Sequence, residues 1–204
     1  LLDFKKAKHD TTRADVYVQF SEILYLSKPD TVMPLCLMAV ELCDKNIPKA
    51  NVAEKKKFLQ VKSSAYNNIG YIYQNQGNVK LALEYYHKGL KIQEDIGDMK
   101  GLAQSLNNIG FIFQNQNDIP KTLDYYNRSL VIREKIGDKK GIAESLNNLG
   151  LVYRRNGDPY CKSKVVNACA RAGVEKALSY YLRSLKIKEE VKDINGIGIS
   201  YNNL

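Results

Sequence analysis

The feature of this sequence that most constrains its fold is an internal repeat with a period of forty residues. The pair Asn67-Asn68 recurs as Asn107-Asn108 and as Asn147-Asn148, and a glycine follows each pair at the same distance. A recurring segment of this length is one supersecondary unit, which cannot bury its apolar face alone and must stack against its neighbours. The chain is therefore expected to form an array of stacked repeats.

Each repeat is predicted to consist of two helices. In the first helix of one repeat, Leu106, Ile109 and Phe113 recur at helical spacing. The predicted capping residues of the second helices are Asn78 and Asp118 at the start and Gly97 and Gly137 at the end. Stacking such pairs buries their apolar stripes, so the predicted fold is all-α, a right-handed α-solenoid of antiparallel helix pairs.

The last complete repeat carries an insertion of fifteen residues near Pro159–Gly173. Tyr125-Tyr126 recurs as Tyr180-Tyr181, which is fifty-five residues later instead of forty. Asp158-Pro159 is a favourable helix start and Gly173 a favourable stop, so we predict a short extra helix or helical loop here. The insertion is either an excursion that a loop tolerates at little cost or an element specific for a partner.

The four cysteines form two pairs in the sequence. Cys36 and Cys43 lie seven residues apart on a predicted helix, roughly 10 Å, and are expected to be buried core thiols. Cys161 and Cys169 both lie in the insertion, where a helix would keep them apart and a hairpin would bring them together. Free thiols are the favoured expectation for this second pair, with a disulfide or a metal site as alternatives. A zinc site would need two further ligands, and the sequence offers none nearby.

The repeat register also predicts how the chain is divided. The predicted segments are a divergent first repeat over 10–53, repeats over 54–98, 99–138 and 139–193, and the start of a further helix over 194–204. In the first repeat, Asp10–Ser27 and Asp30–Lys45 are predicted to pair, with Pro34 in the first turn of the second helix. The apolar flank of the last segment lacks a partner, so we expect the natural protein to continue past Leu204. In its absence, end-to-end self-association is possible.

These residues resemble the tetratricopeptide repeat family. The family pattern of a large apolar residue, an aliphatic-Gly pair and an aromatic is matched by Leu106, Ile109-Gly110 and Phe113, followed on the second helix by Tyr126. The period of forty instead of the usual 34 is similar to the long repeats of spindle-orientation adaptors and kinesin light chains. It is also similar to input domains of bacterial sensor histidine kinases and cyclases. The resemblance covers residues 63–204 and implies that the first helices line a concave groove.

In that implied groove, asparagines form a ladder made of Asn67, Asn107, Asn147 and Asn202. The neighbouring positions are Tyr71, Phe111 and Leu151, then Gln74, Gln114 and Arg154, then Asn75, Asn115 and Arg155. An Asn side chain offers a donor and an acceptor, so a row of them can hold an extended peptide independently of its sequence. With equal weight, the double Asn serves packing and capping between adjacent helices, or the two members of each pair divide these tasks.

The net charge of +9, from 31 basic and 22 acidic residues, gives a weaker indication of partners. Arg154-Arg155 replace Gln-Asn of the other repeats, and Lys162 and Lys164 follow closely. This end of the groove is expected to be positive and to favour an acidic protein or peptide; the alternative is a solvated basic face. Nucleic-acid binding is disfavoured because no recognised reading module is present.

The sequence contains no recognised catalytic motif, and His9 and His87 have no neighbours that suggest a base or a metal-ligand pair. We therefore predict a non-enzymatic protein with no cofactor, no metal and no small-molecule substrate. No apolar stretch is long enough to span a membrane. The predicted function is a protein–protein interaction scaffold that binds a peptide or helical segment in the groove. The alternative is a sensory or regulatory input domain of a larger signalling protein such as a histidine kinase.

Overall fold

The computed structural model describes residues 10–24, 29–165 and 167–204, with Pro29 and Asp30 described by their backbone alone. The predictions for His9, for the first helix beyond Leu24 and for Val166 fall outside these residues. All regular elements in the described ranges are helical. They are α1 (Asp10–Leu24), α2 (Pro29–Asn46), a 3-10 turn (Ile47–Lys49), α3 (Val52–Asn75), α4 (Val79–Ile96), α5 (Met99–Asn115), α6 (Ile119–Ile136), α7 (Lys139–Asn156), α8 (Ala168–Glu190) and α9 (Ile194–Asn203).

The chain divides into two compact units, an N-terminal unit that ends at Ser105 and a C-terminal unit that begins at Leu106. In each unit, successive helices joined by short turns pack in pairs, and the most extensive contacts join α3 to α4 and α7 to α8. The fold is all-α and belongs to the α-solenoid class, as the repeat predicted.

The N-terminal unit contains the predicted divergent helix pair, α1 and α2. Their buried residues pack with Phe58, Ala65 and Ile69 of α3 in one apolar cluster. Cys36 and Cys43 lie fully buried in this cluster as free thiols, which confirms their predicted core role. Burial raises the pKa of the Cys43 thiol to about 12, so it stays protonated and unreactive.

One detail of this pair was predicted wrongly. Helix α2 begins at Pro29, so Pro34 lies inside the helix and not in its first turn.

The predicted caps of the second helices are confirmed. The side chains of Asn78 and Asp118 accept hydrogen bonds from the backbone N–H groups of Leu81 and Lys121, each at 3.2 Å. Gly97 and Gly137 end α4 and α6 in the left-handed conformation at φ 69°, which glycine adopts without strain. The local sequence therefore sets where each second helix starts and stops.

The two helices of a repeat approach each other at a glycine and a tyrosine. A Cβ on Gly70 would lie 2.8 Å from the ring of Tyr86. The same construction gives 2.7 Å between Gly110 and Tyr126, and 2.6 Å between Gly150 and Tyr181. These distances are shorter than real Cβ contacts, so the glycine is required for the buried ring to pack against the first helix.

The insertion departs from its predicted structure. Residues 158–165 form no helix, and α8 begins at Ala168 and continues through Gly173, which does not stop it. The inserted residues therefore form an irregular loop followed by an N-terminal extension of the second helix. Backbone contact closes the loop: the N–H of Asp158 donates to the carbonyl of Cys169 at 2.9 Å, and a Cβ on Gly173 would overlap the backbone of Gly157.

A disulfide joins Cys161 to Cys169 across this loop, with the two Cα atoms 5.3 Å apart. The favoured expectation of free thiols was therefore wrong. A helix from Pro159 to Gly173 would have separated the two sulfur atoms, but the loop turns back and brings them together.

Alanine at Gly110 is expected to destabilise the C-terminal unit by about 2 kcal/mol, because the added methyl overlaps the buried Tyr126 ring. The matched control is Gly198→Ala in α9, where nothing lies within 4 Å of the added Cβ. That change should be neutral or stabilising by up to about 1 kcal/mol, because alanine favours helix. Urea unfolding measures both, and equal effects would contradict the role of the Gly110–Tyr126 contact.

Deletion of residues 159–173 is expected to leave a cooperatively folded protein. It joins Asp158 to Val174 and reproduces the connection that Asp118 and Ile119 make in the preceding repeat. The ends are already adjacent because Gly173 packs against Gly157. Circular dichroism and thermal unfolding measure the result, and loss of a cooperative transition would show that the insertion is part of the core.

Candidate functional site

In the C-terminal unit, the paired asparagines bond one repeat to the next. Nδ2 of Asn148 on α7 donates to Oδ1 of Asn107 on α5 at 2.9 Å. Nδ2 of Asn203 on α9 donates to Oδ1 of Asn147 on α7 at 2.8 Å. The second asparagine of each repeat therefore holds the first asparagine of the repeat before it, and the pairs do serve packing between helices.

The same position is used similarly in the N-terminal unit. Oδ1 of Asn67 on α3 accepts a hydrogen bond from Oγ of Ser105 at 2.9 Å, and Nδ2 of Asn68 donates to Oγ of Ser21 at 2.9 Å. In all three repeats the oxygen of the first asparagine is occupied by a structural bond. The Nδ2 atoms of Asn107 and Asn147 make no hydrogen bond to any described residue, so their two donors are available to a ligand.

Large apolar side chains lie one helical turn after the first asparagines. Tyr71 on α3 is 41% exposed and Phe111 on α5 is 42% exposed, while Leu151 on α7 is half-buried. An apolar residue that repeats at one position while remaining exposed is not explained by the core. We call the face that carries Asn107, Phe111, Asn147 and Leu151 in the C-terminal unit the ladder face.

Gln74 and Gln114, predicted to line the groove, have a structural task. The hydroxyl of buried Tyr86 donates to Oε1 of Gln74 at 3.1 Å, and that of buried Tyr126 donates to Oε1 of Gln114 at 2.6 Å. Each glutamine supplies the acceptor that a buried tyrosine hydroxyl needs. Burial also raises the pKa of Tyr126 far above its ordinary value, so this hydroxyl remains a donor.

The third repeat breaks this pattern. Arg154 replaces the glutamine, and a guanidinium has no acceptor. The hydroxyl of Tyr181, whose residue is 2% exposed, has no hydrogen-bond partner in the described structure. The Arg154 guanidinium lies 5.9 Å from the centre of the Tyr181 ring, and its Nη1 donates to the carbonyl of Asn203 at 3.3 Å. Arg154 and Arg155 are both exposed.

A second set of inter-repeat contacts was missed by sequence reasoning. Gln93, Arg133 and Lys188 occupy the same position near the end of the second helix, and all three are buried. Each bonds to the serine twelve residues later in the next helix. The three bonds are Ser105 Oγ to Gln93 Oε1 at 2.7 Å, Arg133 Nη1 to Ser145 Oγ at 3.0 Å and Lys188 Nζ to Ser200 Oγ at 2.8 Å.

The signal for these contacts was present in the sequence, because the serine recurs in register, but a basic residue at this place ordinarily indicates exposed surface. Burial lowers the pKa of both Arg133 and Lys188, partly opposed at Arg133 by Glu144 3.3 Å away. The two cations thus contribute to the junction between repeats and not to a ligand site.

Among the described residues, no cluster of His, Cys, Asp and Glu side chains is suited to hold a metal ion. Within the same ranges, none of the helices is both long and apolar enough to cross a bilayer.

Two family models, each described as a tetratricopeptide repeat, match residues 63–96 and 101–159. Both matches lie in the part of the chain where the sequence resembles this family. The chain is a tetratricopeptide-repeat protein, and repeats of this kind are generally non-enzymatic scaffolds that bind other proteins.

Solved structures share the fold. Aspartyl phosphate phosphatase F from Bacillus subtilis superimposes with a TM-score of 0.76 at 12% identity, over 97% of this chain and 46% of that one. BtubC from P. vanneervenii matches with a TM-score of 0.48 at 16% identity, over 95% and 87% of the two chains. A putative kinesin light chain from Podospora anserina matches with a TM-score of 0.43 at 12% identity, over 95% and 97%.

The chain thus spans about half the length of the phosphatase structure. The search of curated protein sequences found no match.

Replacement of Arg133 tests the buried junction. Arg133→Ala should cost about 3 kcal/mol of unfolding free energy, because it leaves the carbonyl of Gly141 and the hydroxyl of Ser145 without their buried donor. Arg133→Gln should cost about 1 kcal/mol, because it recreates the pair that Gln93 and Ser105 form. Chemical denaturation of both variants decides, and equal losses would mean that the polar contact is unimportant.

Proposed function

We propose that this protein is a scaffold that binds an extended peptide segment of a partner protein along the ladder face. The observation that supports the proposal most directly is the state of Asn107 and Asn147. Each carboxamide is held at its oxygen by the next repeat, while its Nδ2 makes no hydrogen bond to any described residue. A fixed carboxamide with free donors is suited to bind a peptide carbonyl, because little side-chain entropy is lost on binding.

The neighbouring apolar residues would provide side-chain selectivity. Phe111 and Leu151 lie one turn beyond Asn107 and Asn147 and are accessible. Main-chain bonds to the asparagines would give affinity that does not depend on sequence. Contacts with these two residues would favour apolar side chains at alternate positions of the bound segment.

The charge of this region favours an acidic partner segment. Arg154 and Arg155 follow the ladder on α7, and Lys162 and Lys164 are exposed on the inserted loop. Four cations in one short stretch of chain would steer a negatively charged segment and strengthen its hydrogen bonds.

The alternative prediction is a sensory or regulatory input domain of a larger signalling protein. It gains no support from the likeness to aspartyl phosphate phosphatase F, since a similarity at 12% identity concerns the fold alone. We therefore advance the peptide-binding scaffold.

The test is a selection from a random library of displayed dodecapeptides, followed by affinity measurement on the synthetic peptides. Asn107→Asp should weaken binding about tenfold or more, because it replaces the outward donor by an acceptor that repels a peptide carbonyl. The same change preserves the oxygen that accepts from Asn148, so stability should be unchanged.

The matched control is Asn127→Asp, which introduces the same charge at an exposed position of the second helix α6. It should leave the affinity as it is. If Asn107→Asp and Asn127→Asp behaved alike, or if no peptide were selected, the ladder face would not be the binding surface.

A further inference from the structure

One buried hydroxyl distinguishes the third repeat from the two before it. Tyr86, Tyr126 and Tyr181 occupy the same repeat position, and each packs against the glycine of its first helix. The first two hydroxyls donate to Gln74 and Gln114, whereas the hydroxyl of Tyr181 is the one buried side-chain polar atom of the described residues without a partner. A buried donor without an acceptor costs free energy, so the site favours any ligand that supplies one.

The chemistry of that ligand follows from what surrounds the hydroxyl. The residue that should supply the acceptor is Arg154, which can only donate. Its guanidinium lies 5.9 Å from the centre of the Tyr181 ring, and Arg155 follows it on α7. One neutral donor and one cationic donor at the same place are satisfied together by a group with two acceptor oxygens and a negative charge, which is a carboxylate.

We propose that Tyr181 and Arg154 form a carboxylate subsite on the ladder face, which recognises an acidic residue of the bound peptide. The subsite rests on the proposed function, because the ladder asparagines would hold the main chain of the same peptide. One carboxylate oxygen accepts from the Tyr181 hydroxyl, and the other accepts from the guanidinium.

Access to the hydroxyl depends on Arg154. In the preceding repeat the carboxamide of Gln114 lies beside the tyrosine hydroxyl, so this place accommodates a planar polar group. In the third repeat the arginine side chain covers it, but the residue is exposed and its guanidinium is held by one bond of 3.3 Å to the carbonyl of Asn203. A carboxylate that attracts the guanidinium outward takes the position that the glutamine carboxamide has elsewhere.

The experiment compares peptide selection on the wild-type protein and on Arg154→Gln, with the same displayed library. The wild-type protein should enrich Asp or Glu at one fixed position. Arg154→Gln restores the Tyr–Gln pair of the other repeats, so it should lose this acidic preference, keep the flanking preferences and be at least as thermostable as the wild type. An acidic preference that persists in Arg154→Gln, or that never appears, overturns the subsite. Failure to select peptides on either protein counts against the proposed function itself.

Tyr181→Phe separates the hydroxyl from the charge. It should weaken the selected acidic peptide about fivefold, leave the Glu→Gln version of that peptide unaffected, and keep or raise the thermal midpoint because an unsatisfied hydroxyl is removed. The matched variant Tyr126→Phe removes a satisfied hydroxyl, so it should lower the midpoint and leave the acidic preference intact. Equal binding losses in the two variants, or equal losses for both peptides, would contradict the assignment.

The source of the carboxylate is resolved by amidating the C-terminus of the selected peptide. Retained affinity assigns the subsite to an internal acidic side chain, as proposed. A loss as large as that caused by the Glu→Gln change would assign it to a chain terminus and overturn that part of the proposal.

Discussion

The close contact between a glycine and a tyrosine within each repeat is the constraint on which the rest of this structure depends. Without a side chain on Gly70, Gly110 or Gly150, a buried aromatic ring packs directly against the backbone of the first helix. That contact fixes the distance between the helices of a repeat. It also fixes the tyrosine hydroxyl beside the position taken by Gln74, Gln114 or Arg154. A packing rule therefore determines where a polar group lies next to a surface suited for binding.

The junctions between repeats are polar to an unusual degree for a helical array. The first asparagine of each repeat is held by a side chain from the following helix, and buried Gln93, Arg133 and Lys188 reach a serine across the same kind of junction. Hydrogen bonds have stricter geometry than apolar contacts, so these pairs define the register of neighbouring repeats. They also divide the labour of the asparagine side chain, whose oxygen maintains the stack while its nitrogen remains available.

The third repeat has departed from this scheme in two places. Arg154 removes the acceptor that the tyrosine hydroxyl has in the other repeats, and the insertion adds a disulfide-closed basic loop at the start of the second helix. The loop leaves and returns at adjacent points, Gly157 and Gly173, so it extends the surface without disturbing the helix pair. Both changes lie in one repeat and both increase positive charge, which is the physical basis for expecting an acidic partner there.

The sequence by itself determined the fold class, the helix pairs and their caps, because repetition, helical periodicity and capping are local properties of the chain. It also identified Asn107 and Asn147 as special positions, although it left their packing and binding roles equally weighted. Only the tertiary structure decided which atom of each asparagine is occupied, that Arg133 and Lys188 are buried, and that Cys161 meets Cys169. These outcomes depend on contacts between helices or across a loop that no local pattern encodes. The unsatisfied hydroxyl of Tyr181 is of the same kind: the change from glutamine to arginine is visible in the sequence, but its consequence exists only once the two helices are packed together.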